Sequence, residues 1–127
     1  MSDLSPEDAR LMRDAVTPLA GRWVALHQMA AQVGHMAQLA PEPFEQELAG
    51  FPAQYDCALP STRALAGYAL DDIEALLHTG LTALEAIAAR EGAVQTPALT
   101  LWREFYTARA ALIALIAQSN ERHKAAA

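Results

Sequence analysis

Apolar residues recur along the first third of the chain at alternating spacings of four and three positions, the pattern of one packed face of an α-helix. This pattern predicts a first long helix over about residues 6–39. It passes through Pro18 without losing phase, which favours a continuous helix kinked at the proline over two helices that meet at Thr17. Eight positions share the face: Met12, Val16, Leu19, Trp23, Leu26, Ala30, Val33 and Ala37.

The same periodicity predicts further helices downstream. Apolar positions indicate long helices over about residues 62–91 and 97–122, and several prolines punctuate the stretch before the first of these. A loop of that length without structure would be unusual, so a short helix is expected near residues 43–49. Ser61 is the expected N-cap of the second long helix, and Gly92 is its expected end.

These elements define the fold class. They predict an all-α protein, an antiparallel bundle of three long helices in up-down-up order with the short helix in the first connection. The composition agrees, because the chain is rich in alanine and leucine, which enter helices at little cost, and poor in valine and isoleucine. No linker or repeat divides the sequence, so residues 1–127 are expected to form a single domain.

Charge and cysteine content narrow the function classes. Nine Lys and Arg against fifteen Asp and Glu give a net charge of −6, which repels phosphate backbones, so no nucleic-acid partner is expected. The single cysteine, Cys57, cannot form an intrachain disulfide and suits a reducing compartment. The acidic N-terminus is unlike a secretion signal, and no stretch has the composition of a bilayer span. We therefore expect a soluble cytoplasmic protein with no membrane contact and no cofactor.

The third long helix carries an unusual apolar run. From Ala108 to Ala117, Arg109 is the only residue that is not apolar. A helix that is apolar all round is normally buried, whereas each helix of a three-helix bundle turns one face to water. The run therefore favours a homodimer, or docking of another protein, over the alternative that alanine is simply a good surface helix former. The expected interface residues are Ala110, Ala111, Ala114, Leu115 and Ala117.

A polar pocket between the helices is a second candidate site, formed by Trp23, His27, Asp72 and Arg109. If the first two long helices are antiparallel, His27 lies within about one helical turn of Asp72. Such a pair would fix the helix register, the favoured interpretation, or orient the imidazole as a general base. The residues could also line a small-ligand pocket. Arg109 is expected to extend from the apolar face to water, with a ligand anion as the alternative partner.

Two carboxylate pairs supply an enzymatic alternative. Glu42 and Glu45 lie three positions apart near the short helix, and Asp71 and Glu74 have the same spacing on the second long helix. Such pairs on adjacent helices can hold Mg²⁺ and position a pyrophosphate. Their order resembles that of the all-α nucleoside-triphosphate pyrophosphohydrolases, although the second pair of that family usually reads Glu-x-x-Asp. The resemblance implies a Mg²⁺-dependent hydrolase that uses these four carboxylates, whereas acids at helix starts are the ordinary explanation.

The sequence thus favours a non-enzymatic, self-associating interaction module over the pyrophosphohydrolase-like enzyme, and no catalytic residue is assigned to the module. The two functions require different structures. The enzyme needs its four carboxylates to converge on one cleft, and the module needs a contiguous apolar surface.

Overall fold

A computed structural model of the chain describes residues 18–40 and 45–126. Within these ranges the chain forms an all-α bundle of three long helices and one short helix, as predicted. The part of the first predicted helix that precedes Pro18 lies outside the described residues, so a kink or break at Pro18 stays a prediction. The helices are α1 (Pro18–Met36), α2 (Glu45–Asp56), α3 (Pro60–Ala89) and α4 (Gln95–Ala126).

The short helix α2 extends further than its sequence predicts. The expected end near residue 49 is wrong, because the helix continues through Gly50 and carries Pro52 inside it. Phe51 is only 4% exposed, and its ring stacks on Trp23 of α1 with a centroid distance of 4.2 Å. Burial of this aromatic pair outweighs the local cost of a glycine and a proline within the helix.

The start of α3 also differs from the expected capping pattern. Leu59 occupies the N-cap position with extended backbone and no side-chain capping hydrogen bond, and Pro60 follows at the start of the helix. Proline suits that position because its missing N–H would have no intrahelical partner there. Ser61 therefore lies inside the helix, and its assignment as the N-cap is wrong.

Contacts made by α4 set the direction of the helices. Residues later in α1 and in α3 contact residues earlier in α4, so α4 is antiparallel to both of the other long helices. Consequently α1 and α3 run in the same direction, with α2 as the reversal between them. The expected up-down-up order of the three long helices, in which the first two are antiparallel, is therefore wrong. The short helix reverses the chain, and the four helices run up-down-up-down. The contacting pairs are His27–Arg109 and Gly34–Trp102 for α1, and Thr62–Ser119 and Gly80–Leu101 for α3.

The apolar periodicity of α1 identifies its core residues correctly. Positions of the predicted face that lie in the described residues are all buried, with at most 5% of their surface exposed. They pack against the apolar faces of α3 and α4 in one continuous core. The buried residues of this face are Leu19, Trp23, Leu26, Ala30, Val33 and Ala37.

Both α1 and α3 end in a Schellman motif without glycine at its left-handed position. Gln38 and Glu91 have φ values of 59° and 58°. Each motif is closed by two backbone hydrogen bonds. At the end of α1, Gln38 and Leu39 donate to the carbonyls of His35 and Gly34, and at the end of α3, Glu91 and Gly92 donate to those of Ala88 and Ile87. Gly92 therefore follows the left-handed residue and does not itself occupy that position.

We expect Glu91→Gly to stabilise the protein by about 1 kcal/mol, because glycine adopts a left-handed backbone without the steric cost that a Cβ atom imposes. Urea unfolding of the purified variant measures the change. Ala86→Gly, at an exposed position within α3, is the control and should destabilise by about 1 kcal/mol. Destabilisation by Glu91→Gly would contradict the left-handed conformation.

A glycine brings α3 close to α4. A Cβ atom on Gly80 would lie 2.5 Å and 2.8 Å from the two Cδ atoms of Leu101, a residue that is only 7% exposed. Gly67 on the same helix has nothing within 4 Å of the corresponding point. Replacing each of these glycines with alanine therefore separates the effect of helix packing from that of helix propensity.

Gly80→Ala should destabilise the protein by about 1–3 kcal/mol, since the added methyl group displaces Leu101 or moves the helices apart. Gly67→Ala should instead stabilise it by up to about 1 kcal/mol through helix propensity alone. Thermal and urea unfolding of both variants test this difference. A gain in stability from both substitutions would show that α3 and α4 do not approach closely at Gly80.

Candidate functional site

Three of the four predicted pocket residues meet in the core between α1 and α4. Trp23 is fully buried, and His27 and Arg109 are only 6% and 5% exposed. Trp23 and His27 share one face of α1 because they are separated by one helical turn. Arg109 reaches them from α4, so its expected extension to water is wrong.

Hydrogen bonds determine the protonation state of His27. Its Nδ1 atom lies 2.7 Å from the carbonyl oxygen of Trp23, and Nε of Arg109 donates to its Nε2 atom at 2.8 Å. A carbonyl oxygen only accepts, so Nδ1 carries the proton and Nε2 provides the accepting lone pair. His27 is therefore a neutral imidazole whose basic nitrogen is occupied by Arg109, which does not fit a role as general base.

Aromatic rings enclose this pair. The guanidinium carbon of Arg109 lies 5.8 Å from the centroid of the Trp23 ring, within the range of a cation–π interaction. Phe51 of α2 stacks on Trp23, and Phe105 of α4 meets His27 edge to face, with centroids 5.8 Å apart. The cluster therefore joins α1, α2 and α4 through packed side chains, and we interpret its role as structural, to stabilise the packing of these helices.

Asp72, the fourth residue of the predicted pocket, takes no part in this cluster. It is exposed on α3, while its neighbour Ile73 is buried. The pairing of α3 with α4 places Asp72 about level with Arg109, but on the side of α3 that faces solvent. The structure gives His27 an arginine partner from α4 where the sequence suggested an aspartate from α3.

The carboxylates of the enzymatic alternative occupy a different part of the bundle. Asp71 and Glu74 of α3 both accept hydrogen bonds from Arg22 of α1. The hydrogen bond to Glu74 is the main cause that raises the pKa of Arg22, with a smaller contribution from Asp71 and an opposing one from desolvation. The guanidinium is therefore charged throughout the accessible pH range, and it occupies the oxygens that a cation would need.

The other two carboxylates cannot be placed beside this pair. Glu42 and the side chain of Glu45 lie outside the described residues. Among the residues that the structure describes, no group of three or more His, Cys, Asp or Glu side chains is close enough together to hold a metal ion. The four-carboxylate site stays a prediction, and Asp71 and Glu74 serve as ion-pair partners between α1 and α3.

The apolar run of α4 is largely accounted for inside the molecule. This helix contacts all three other helices, whereas a helix of a three-helix bundle has two neighbours. Leu112 and Ile116 are buried, and Leu115 packs partly against the core. Of the five predicted interface residues, Ala110 and Ala111 are exposed, whereas Ala114, Leu115 and Ala117 are half-buried.

The largest exposed apolar side chains on α3 were not part of the predicted interface. Tyr68 is 71% exposed and Leu65 is 59% exposed, one helical turn apart. Leu65 is exposed although Ala69 and Leu76, on the same side of the helix, are half-buried. Tyr68, a large aromatic residue on the otherwise polar side of the helix, is the sequence feature that could have indicated this surface.

These two residues border the groove between α3 and α4. Leu76 and Gly80 line that groove with Leu101 and Glu104 of α4, and residues three, four or seven positions away continue it along the same side of each helix. Exposed and half-buried apolar residues therefore follow both helices, interrupted by Asp72 on α3 and by Glu104 on α4. We call this surface the α3–α4 face; it consists of Leu65, Tyr68, Ala69, Leu76, Ala108, Ala111 and Leu115.

Comparison with known proteins adds no functional information, since no family model, no curated protein and no solved structure matches this chain significantly. Within residues 18–40 and 45–126, no helix combines the length and apolar character needed to cross a bilayer. Inference about function therefore depends on the surfaces of the bundle itself.

The interaction between His27 and Arg109 can be measured with a double-mutant cycle. His27→Leu should destabilise the protein by about 2–3 kcal/mol, because it removes a buried acceptor of a charged donor. Combining it with Arg109→Met should cost at least ~1 kcal/mol less than the sum of the single changes. Urea unfolding gives the four free energies.

His78→Leu is the matched control, since His78 is exposed on α3 and its replacement should change stability by less than about 0.5 kcal/mol. Strictly additive effects of the His27 and Arg109 substitutions would show that the two side chains do not interact.

Proposed function

We propose that this protein is a non-enzymatic interaction module that self-associates through the α3–α4 face. The observation that carries the proposal is the exposure of Leu65 and Tyr68, 59% and 71%, beside the half-buried Leu115. Single exposed apolar residues are common on protein surfaces, whereas exposed apolar side chains that follow two adjacent helices are characteristic of interaction sites.

A second copy of the chain is the partner that we propose for this surface. The alanines of the α3–α4 face, Ala69, Ala108 and Ala111, let the backbone of another helix approach closely. A two-fold axis across the face would place the apolar side chains of one copy against those of the other. The face is thus suited to an isologous contact, in which the same surface serves both copies.

Charge gives this association a distinctive salt dependence. Each copy carries a net charge of −6, and Asp72 and Glu104 lie among the apolar residues of the face. Two copies therefore repel one another at long range while their apolar surfaces attract at contact. Added salt screens the repulsion, so it should strengthen self-association, opposite to its effect on a contact made by complementary charges.

The proposed surface differs in part from the interface expected from sequence. Ala111 and Leu115 belong to the α3–α4 face. Ala110, Ala114 and Ala117 lie at other angles around α4, because successive helical residues are about 100° apart. Contact of the α3–α4 face with another protein remains the second form of the same proposal.

Two further elements of the proposed function come from the sequence. A cytoplasmic location agrees with Cys57, which is a free and exposed thiol.

The pyrophosphohydrolase-like alternative has less support, because Arg22 binds both Asp71 and Glu74. No observation within the described residues favours it over the interaction module.

Sedimentation velocity at micromolar concentrations tests the proposal. The wild-type chain should sediment as a dimer, and Leu65→Ser combined with Tyr68→Ser should sediment as a monomer. Both replaced side chains are largely exposed, so the fold should be retained with little loss of stability, as circular dichroism can verify.

Val24→Ser combined with Tyr106→Ser is the matched control. It also removes one aliphatic and one tyrosine side chain from the surface, with exposures of 42% and 44%, but outside the α3–α4 face. This control should remain a dimer. A monomeric wild-type protein, or equal loss of dimer in the two double variants, would contradict the proposal.

A further inference from the structure

An open cleft lies beside the C-terminal end of α1, away from the α3–α4 face. Its volume is about 600 Å³, within the range typical of small-molecule sites. The first half of α4 forms one wall, and the residues that follow α1 form the other. Its lining includes Leu39, Leu99, Trp102, Arg103, Tyr106 and Thr107.

Aromatic and aliphatic side chains give this cleft an apolar surface. The Trp102 ring lies against Gly34 of α1, where a Cβ atom would be 3.2 Å from the ring. Tyr106 lies one turn further along α4, with its ring centroid 6.3 Å from that of Trp102 and the planes inclined by 34°. Tyr106 is 44% exposed and Leu39 is 36% exposed, so both present apolar surface to a ligand.

Among the described residues that line this cleft, the charged one is a cation. Arg103 lines it, whereas no carboxylate is among its described lining residues, although the chain as a whole has a net charge of −6. Arg103 is exposed, and it forms no ion pair with any residue that the structure describes. A guanidinium in this state can bind a carboxylate through two parallel hydrogen bonds.

We propose that the cleft binds small aromatic carboxylates. The ring of the ligand lies against Tyr106 and Leu39, and its carboxylate accepts hydrogen bonds from Arg103. The hydroxyl group of Thr107 lines the same cleft and can donate to the second carboxylate oxygen. The site combines a broad apolar surface with one charged anchor, the usual composition of a small-molecule pocket.

Isothermal titration with 2-naphthoate tests this assignment, and 2-naphthylmethanol serves as a ligand with the same ring system and no charge. The wild-type protein should bind naphthoate at least about tenfold more tightly than the alcohol, the difference expected for one charge-assisted hydrogen-bonded pair. Arg103→Gln should remove that preference while leaving binding of the alcohol unchanged.

Arg90→Gln is the control for the change in net charge, since Arg90 is exposed at the C-terminal end of α3 and does not line the cleft. It should retain the wild-type preference for naphthoate. Leu65→Ser combined with Tyr68→Ser should also retain it, so this site and self-association can fail independently. No binding of naphthoate at millimolar concentration, or equal effects of Arg103→Gln and Arg90→Gln, would overturn the proposal.

Discussion

The hydrogen bond from Arg109 to His27 is the interaction on which the arrangement of the bundle depends. A guanidinium is costly to bury, and here a neutral imidazole and the face of Trp23 offset part of that cost. Both partners are at most 6% exposed, so sliding of α1 along α4 would leave buried polar atoms without these partners. The register set here also places Gly34 against Trp102, and that contact shapes the cleft at the end of α1.

Periodicity predicted which residues of α1 face the core, because Trp23, Leu26 and Val33 repeat at helical spacing and are fully buried. It could not predict the direction of α3. That direction depends on whether the connection after α1 reverses the chain. Gly50 and Pro52 disfavour a helix in this connection, but the stacking of Phe51 on Trp23 stabilises one. The sequence therefore predicts a partner for His27 on α3, whereas α4 supplies it. Local sequence encodes the face of a helix, but long-range packing decides its neighbours.

The same distinction explains the candidate functional surfaces. The apolar run on α4 suggested an intermolecular contact, but that helix lies against three others and uses most of the run internally. The surface left over follows α3, where Leu65 and Tyr68 are exposed. At the other end of the bundle, Arg103 provides a cation in a cleft of an otherwise acidic chain. We propose the first surface as the contact with a second copy and the cleft as a site for a small anion.

Nitrogen-15 NMR of the histidine side chains tests the central interaction most directly. Long-range ¹H–¹⁵N correlations distinguish a ring nitrogen that carries a proton from one that accepts a hydrogen bond, and they identify each tautomer. At neutral pH His27 should show a protonated Nδ1 and an accepting Nε2, the pattern fixed by the Trp23 carbonyl and Arg109. A protonated Nε2, either in the other neutral tautomer or in an imidazolium, would contradict the account.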